Sequence, residues 1–225
     1  VKEGSWGDGI AQLSLVRLPI QAAAVIPPPQ PEYTDLEYIE STGTQYIDTG
    51  YKPNKLTDIE VDFLFTQELQ GQAICFVRWS LAPTYGTFGF MDVASGDNDV
   101  YCFFGNYNLG ASYRLVGSRP TYLTRNTLSI VNGLMTYGGY SHQFGSGGFP
   151  TPSAYTLALF GINVTGTFTS ESTKARLWGF KIWDNGTLVR NFVPKLRTAD
   201  SKPGLLDTVN DVFYTNDGTG EFLYA

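Results

Sequence analysis

The chain reads as an all-β protein, an antiparallel sandwich of many short strands. Three observations predict this. Glycine is frequent (25 residues), aromatics make up 15% and charged residues only 16%, well below the quarter typical of globular domains. Turn signals recur about every 8–15 residues between apolar runs, which predicts about 13 or 14 strands. No stretch sustains an apolar period of 3.6 over a dozen residues, so little helix is expected. The 225 residues suffice for one large β domain or two small ones.

Residues 1–32 differ from the rest. Val1–Gly9 is polar and Gly-rich, and Ile10–Ile26 is apolar but interrupted by Pro19. Pro27-Pro28-Pro29-Gln30-Pro31 follows and favours an extended polyproline II spacer. A domain boundary is placed there. The preceding piece is too short to fold alone, and is read as an arm that docks on another chain. Nothing at the start pairs a basic segment with an apolar one, so no secretory leader is expected. The first residue, Val1, suggests a processed chain or a fragment.

The domain is expected over 33–225. Leu36–Glu40 and Gln45–Thr49 are short strands around Ser41-Thr42-Gly43. Thr57–Phe65 alternates polar and apolar residues, the pattern of a half-buried strand. Gln72–Trp79, Gly86–Met91, Val100–Phe104, Tyr113–Val116, Leu128–Val131 and Leu134–Tyr137 follow. Asn132-Gly133 joins the last two as a type I′ turn. Gly138–Pro152 reads as an exposed loop, and Tyr155–Gly161 as a buried strand. Ala175–Trp183 and Leu188–Val193 flank Asp184-Asn185-Gly186, a second type I′ signal and the predicted centre of the fold. Simple alternation puts Trp178, Phe180 and Ile182 on one face and Leu177 and Trp183 on the other. Both tryptophans are accordingly read as packing residues. Gly204–Leu206, Val212–Tyr214 and Glu221–Tyr224 close the domain, with a turn at Asn216-Asp217-Gly218.

Two stretches carry a resemblance: LEYIESTGTQYIDTGYKP near the start, and KIWDNGTLVRNFVPKLRTADSKPGLLDTVNDVFYTNDGTGEF at the end. They resemble the two ends of a concanavalin A-like (laminin G-like) jelly-roll domain, found in gut bacterial surface proteins and in phage structural proteins. The resemblance spans about Leu36 to Phe222. Between about residues 66 and 150 it rests mainly on strand rhythm, and Gly138–Pro152 departs from the plainer hairpin expected there. It implies an antiparallel jelly-roll sandwich and a carbohydrate- or surface-binding module on a fibre or adhesin. It transfers no catalytic set and no ligand-specific motif.

Composition excludes other classes. A net charge of −6 and a pI near 4.7 without Lys/Arg clusters argue against nucleic acid and anionic membranes as partners. No run of about 18 apolar residues is long enough to span a bilayer. Cys75 and Cys102 sit in apolar runs and are read as buried thiols rather than a bridge.

Asp58, Glu60 and Asp62 share one strand face and superficially resemble the acidic strand of laminarinase-like glycosidases. Retaining hydrolysis needs two carboxyls about 5–5.5 Å apart, whereas positions i and i+4 on a strand are about 13 Å apart. That family places Glu at the outer positions and Asp between them, the reverse of this chain. The trio is therefore read as the solvent face of a half-buried strand. His142 is the only histidine, which leaves no His-based relay with alternatives.

No enzymatic role is expected. Sugar-binding candidates are aromatics that stack on pyranose rings beside polar neighbours: Trp79, Tyr85, Tyr107, Tyr137, Tyr140, with Arg114 and His142. Phe88 and Tyr113 offer the same chemistry, and the loop residues Tyr85, Tyr107 and Tyr140 rank first. No cofactor is required. Asp92, Asp97 and Asp99, with Asn98, form an oxygen-rich segment of the kind that holds Ca²⁺, although such residues also populate turns for their own hydrogen bonds. Asn163 and Asn185 match glycosylation sequons, and Asn185 is explained by its turn.

The expectation is a non-enzymatic virion structural and adhesion protein of a bacteriophage. The domain is displayed at the virion surface towards a cell-surface glycan, and residues 1–32 dock on other virion proteins. Fibres are often homo-oligomeric, but no repeat here specifies it. The alternatives are a lectin-like module of a bacterial cell-surface protein and, less favoured, a glycoside hydrolase.

Overall fold

The computed structural model describes residues 33–68, 71–80, 86–93, 99–106, 112–115, 123–145, 149 and 151–225; for 92, 93, 99 and 112–115 it describes the backbone alone. The expected arm, 1–32, lies outside the described residues.

The described residues contain strands and no helix. In chain order the first strands are β1 (Tyr33–Asp35), β2 (Ile39–Thr42), β3 (Ile47–Asp48), β4 (Thr57–Phe65), β5 (Ala73–Arg78) and β6 (Gly86–Val93). Then come β7 (Asp99–Asn106), β8 (Ser112–Leu115), β9 (Asn126–Val131), β10 (Leu134–Tyr137), β11 (Tyr140–Gln143), β12 (Ala158–Leu159) and β13 (Ile162–Val164). The last are β14 (Thr167–Thr169), β15 (Lys174–Asp184), β16 (Thr187–Arg197), β17 (Lys202–Asp207), β18 (Val212–Tyr214) and β19 (Leu223–Tyr224).

They form two sheets. The first runs β11-β10-β9-β4-β15-β16-β17-β18, with β1 on β16, β2 on β15 and β19 on β2. The second runs β14-β13-β5-β6-β7-β8, with β12 beside β5 and β3. Pairing is antiparallel except between β13 and β5. The architecture is thus an antiparallel β-sandwich. Its shared core joins Ile59, Val61 and Phe63 of the first sheet to Ile74, Val77, Phe88 and Phe90 of the second. Phe63 meets Phe90 edge-on at 5.7 Å. A smaller cluster, Ala73, Phe76 and Phe103, packs separately with Met91, Tyr101 and Ile162.

The predicted central hairpin is central. β15 pairs with β4 along one edge. Its other edge is divided between β2 at Lys174–Leu177 and β16 at Phe180–Asp184. Asn185 and Gly186 have φ of +50° and +75°, and Asn132 and Gly133 +51° and +72°. Both dipeptides therefore make the two-residue turns that Asn-Gly favours.

Four expectations need correction. A bulge in β15 places Leu177 opposite Phe63 and Gly179 opposite Asp62, leaving Trp178 as the extra residue. One extra residue reverses the facing of everything beyond it. Leu177, Phe180 and Ile182 are all fully buried, while Trp178 and Trp183 are only half-buried; the tryptophans are not core. The segment Gly138–Pro152 is not a plain exposed loop: it contains β11, and Phe144 and Phe149 are buried. The strand expected at Tyr155–Gly161 shrinks to the two residues of β12, which ends where Phe160 turns the chain at φ +57°. Finally, the sequence reading missed β1, β13 and β14, which are three residues each and too short to show a period.

Both cysteines are free and buried, as expected. Among the described residues no helix is long and apolar enough to cross a membrane.

Candidate functional site on the outer face of the first sheet

The bulge at Trp178 turns its indole outward, where it meets side chains from two other segments. The Arg125 guanidinium lies 4.5 Å from the centre of the Trp178 ring. Tyr38, just before β2, meets that ring at 5.4 Å and 56°. Arg176, two residues before Trp178, lies 4.5 Å over Tyr38. The result is a row, Arg125–Trp178–Tyr38–Arg176, in which cations and aromatic rings alternate across the strands.

Carboxylates hold the row in place. Arg125 grips both carboxylate oxygens of Asp62, with Nε donating to Oδ1 at 2.8 Å. Arg176 Nε donates to Glu40 Oε2 at 2.6 Å, and the Trp178 indole N–H donates to Glu37 Oε1 at 3.3 Å. Asp62 and Glu40 raise the pKa of Arg125 and Arg176 through these bonds. The row nonetheless stays accessible, since the Arg125 side chain is 52% exposed and that of Arg176 37%.

Beside it lies a groove of about 540 Å³. Arg176, Lys174, Glu40 and Gln67 supply charged and amide groups, Thr42 and Thr66 hydroxyls, and Leu64 and Leu123 apolar walls. Leu123 is held at φ +64°, and its N–H donates to the Phe65 carbonyl at 3.0 Å. Such a mixture of apolar surface with a few convergent polar groups is the usual make-up of a small-ligand site.

The acidic strand β4 forms the other part of this face. Its burial alternates as expected, with Asp58, Glu60 and Asp62 half-exposed and Ile59, Val61 and Phe63 buried. Each carboxylate has a partner. Asp58 accepts the Asn132 N–H at 2.7 Å, Glu60 accepts Lys181 Nζ at 2.9 Å, and Asp62 holds Arg125.

The candidates named from sequence fall elsewhere. Trp79 is half-buried and stacks on Phe149 at 4.8 Å and 24°. Phe149 in turn meets Phe104 at 5.4 Å, Phe104 meets Phe144 at 5.7 Å, and Phe144 meets His142 at 5.0 Å. Trp79 and His142 thus stand at opposite ends of one aromatic chain. Burial lowers the His142 pKa. Tyr137 is 4% exposed and sits against Phe90 at 4.8 Å and Phe63. It is a core residue, not a sugar platform, because its strand turns that position inward. Tyr140 is exposed at the β10–β11 turn. Phe88, also offered as a platform, is fully buried.

Tyr85, Tyr107 and Asp97 lie outside the described residues, and Arg114, Asp92 and Asp99 are described in backbone only, on β8, β6 and β7. Among the described residues no three His, Cys, Asp or Glu side chains gather as a metal-binding group.

The row was missed because it joins residues far apart in sequence around an irregular strand. One signal was present: Gly179 directly after Trp178, since a glycine inside a strand often marks a bulge.

The residues that carry the resemblance have a structural task. Tyr46 N–H donates to Asn216 Oδ1 at 3.1 Å, Asp48 N–H to Asp217 Oδ2 at 2.8 Å, and Gln45 Nε2 to the Glu221 carbonyl at 3.1 Å. A Cβ at Gly218 would stand 2.2 Å from the Thr44 carbonyl oxygen, so this turn admits only glycine without a shift. The two similar stretches fasten to each other. They describe an architecture more than a ligand. No protein-family model matches the chain, and no curated protein matches it.

Proposed function

We propose that the chain is a non-enzymatic, lectin-like binding module of concanavalin A-like jelly-roll type, which attaches a bacteriophage particle to a glycan on its host's surface. The observation that carries the binding part is the row Arg125–Trp178–Tyr38–Arg176, half-exposed on the outer face of the first sheet. Aromatic rings take the apolar faces of sugars, and guanidinium groups bonded by carboxylates keep donors directed at hydroxyls. Trp178 and Arg176 sit on the long strand β15, and Tyr38 and Arg125 each lie one residue before a strand, β2 and β9, so the sheet holds these groups more firmly than free loops would. The partnered carboxylates of β4 support binding over hydrolysis. The virion setting is supported by the resemblance of the two ends and by the apolar, proline-terminated segment 1–32, which would dock on other virion proteins.

Titration of the whole chain with host surface polysaccharide fragments tests the binding reading. Trp178→Ala is expected to weaken binding at least tenfold while the melting temperature moves by a few degrees at most. A folded Trp178→Ala protein that binds like the parent overturns this site. Product analysis on the same mixtures is expected to show no cleavage. Deleting residues 1–32 is expected to abolish incorporation into particles; a truncated chain that still assembles refutes the virion role of that segment.

A further inference from the structure

We infer that the groove beside the aromatic row is a subsite for an acidic sugar, a uronic or sialic acid residue, whose carboxylate is taken by Lys174. This rests on the reading of the outer face as a glycan site, and names the class of glycan.

The charge count in the groove is the starting point. Arg176 and Glu40 neutralise each other at 2.6 Å. Lys174 has a different partner: its Nζ donates to the neutral amide oxygen Gln67 Oε1 at 2.8 Å, and no carboxylate pairs with it among the described residues. An ammonium has three donors, and an amide oxygen takes one without offsetting the charge. The groove therefore carries an excess positive charge, on a chain whose net charge is −6. A ligand carboxylate would complete Lys174 as an ion pair in a recess, where such a contact is stronger than on open surface.

The other walls suit a sugar ring. Leu64 and Leu123 offer apolar surface for the C–H face of a pyranose, and Thr42 and Thr66 offer hydroxyls for its substituents. A volume of about 540 Å³ lies within the ordinary range for small-ligand clefts. Arg176 lines the groove and also covers Tyr38. One oligosaccharide can therefore lay a neutral ring along Tyr38 and Trp178 and its acidic neighbour over Lys174.

The test uses the full chain and an array of polysaccharide fragments that holds uronic- and sialic-acid oligomers beside their carboxyl-reduced counterparts. Binding to acidic fragments should fall about tenfold on carboxyl reduction. Lys174→Met, which keeps the stem and removes the charge, should lower it equally and abolish the preference. Leu123→Asp places in the groove a negative charge that repels the ligand's carboxylate, at a position where the positive φ suits aspartate, and should weaken acidic fragments more than neutral ones. Equal binding of acidic and reduced fragments, or a Lys174→Met protein with its preference intact, overturns the subsite. In that event the wider glycan reading stands if Trp178→Ala weakens binding at least tenfold. An array with no bound fragment overturns both.

Discussion

Asn216 reaches across 170 residues of sequence to accept the Tyr46 N–H at 3.1 Å, and the same Oδ1 accepts the Gly218 N–H at 2.8 Å. One amide oxygen thus shapes its own turn and ties the C-terminal segment to the strand edge near the start of the domain. Removing that acceptor leaves two N–H groups to find water. Asn216→Ala is expected to cost about 1–3 kcal/mol in urea unfolding, and Asn216→Asp, which keeps the acceptor, clearly less. Gly218→Ala should cost at least as much, since its methyl meets the Thr44 carbonyl. Equal stability of all three variants and the parent would show that the clasp contributes nothing.

The β15 bulge makes the opposite prediction for another glycine. A Cβ at Gly179 would come no closer than 3.6 Å, to the Phe192 carbonyl oxygen, which is ordinary contact. Gly179→Ala is therefore expected to change stability by less than about 1 kcal/mol. A loss comparable to that of Gly218→Ala would mean that the bulge needs glycine after all.

Asp207 is fully buried and well bonded. Its Oδ1 accepts the Asn191 and Val209 N–H groups at 3.0 and 3.1 Å, and its Oδ2 accepts Asn210 Nδ2 at 2.7 Å and faces Arg190 Nε at 3.4 Å. Asp207→Ala leaves three part-buried donors and a guanidinium without their acceptor. The expected loss is about 3–5 kcal/mol, read as a lower urea midpoint with an unchanged slope.

Cys75 and Cys102 should be silent to thiol reagents in the folded protein. Burial pushes the Cys75 thiol up to about 12 and raises Cys102 as well, and the thiolate is the reactive form. An aromatic disulfide reagent at pH 8 is expected to titrate neither thiol natively and both after denaturation. Rapid native labelling of either cysteine would contradict the packing of β5 against β6 and β7.

His142 gives the pH dependence a sign. Its folded pKa lies below the ordinary 6.5 because burial disfavours the imidazolium. In the window between the folded value and 6.5, the unfolded chain binds more protons. The stabilisation is therefore complete above 6.5 and is lost as pH falls through the folded value. His142→Gln should flatten the stability curve on the acid side of pH 6.5. An unchanged curve would remove His142 as its source.

The sequence by itself determined what depends on near neighbours. Period-two alternation marked β4, and Asn-Gly placed the turns at 132–133 and 185–186, because both signals depend on backbone geometry within a few residues. The inside and outside of β4 were legible for the same reason. Tertiary structure alone decided which way Trp178 points. A strand's facing has a period of two, so a single bulged residue reverses it, and no local pattern distinguishes that from regular alternation. Tertiary structure also brought Arg125, Tyr38 and Trp178 together and drew Tyr137 into the core. These outcomes follow from which strands lie side by side, a choice made by packing between residues far apart in the chain.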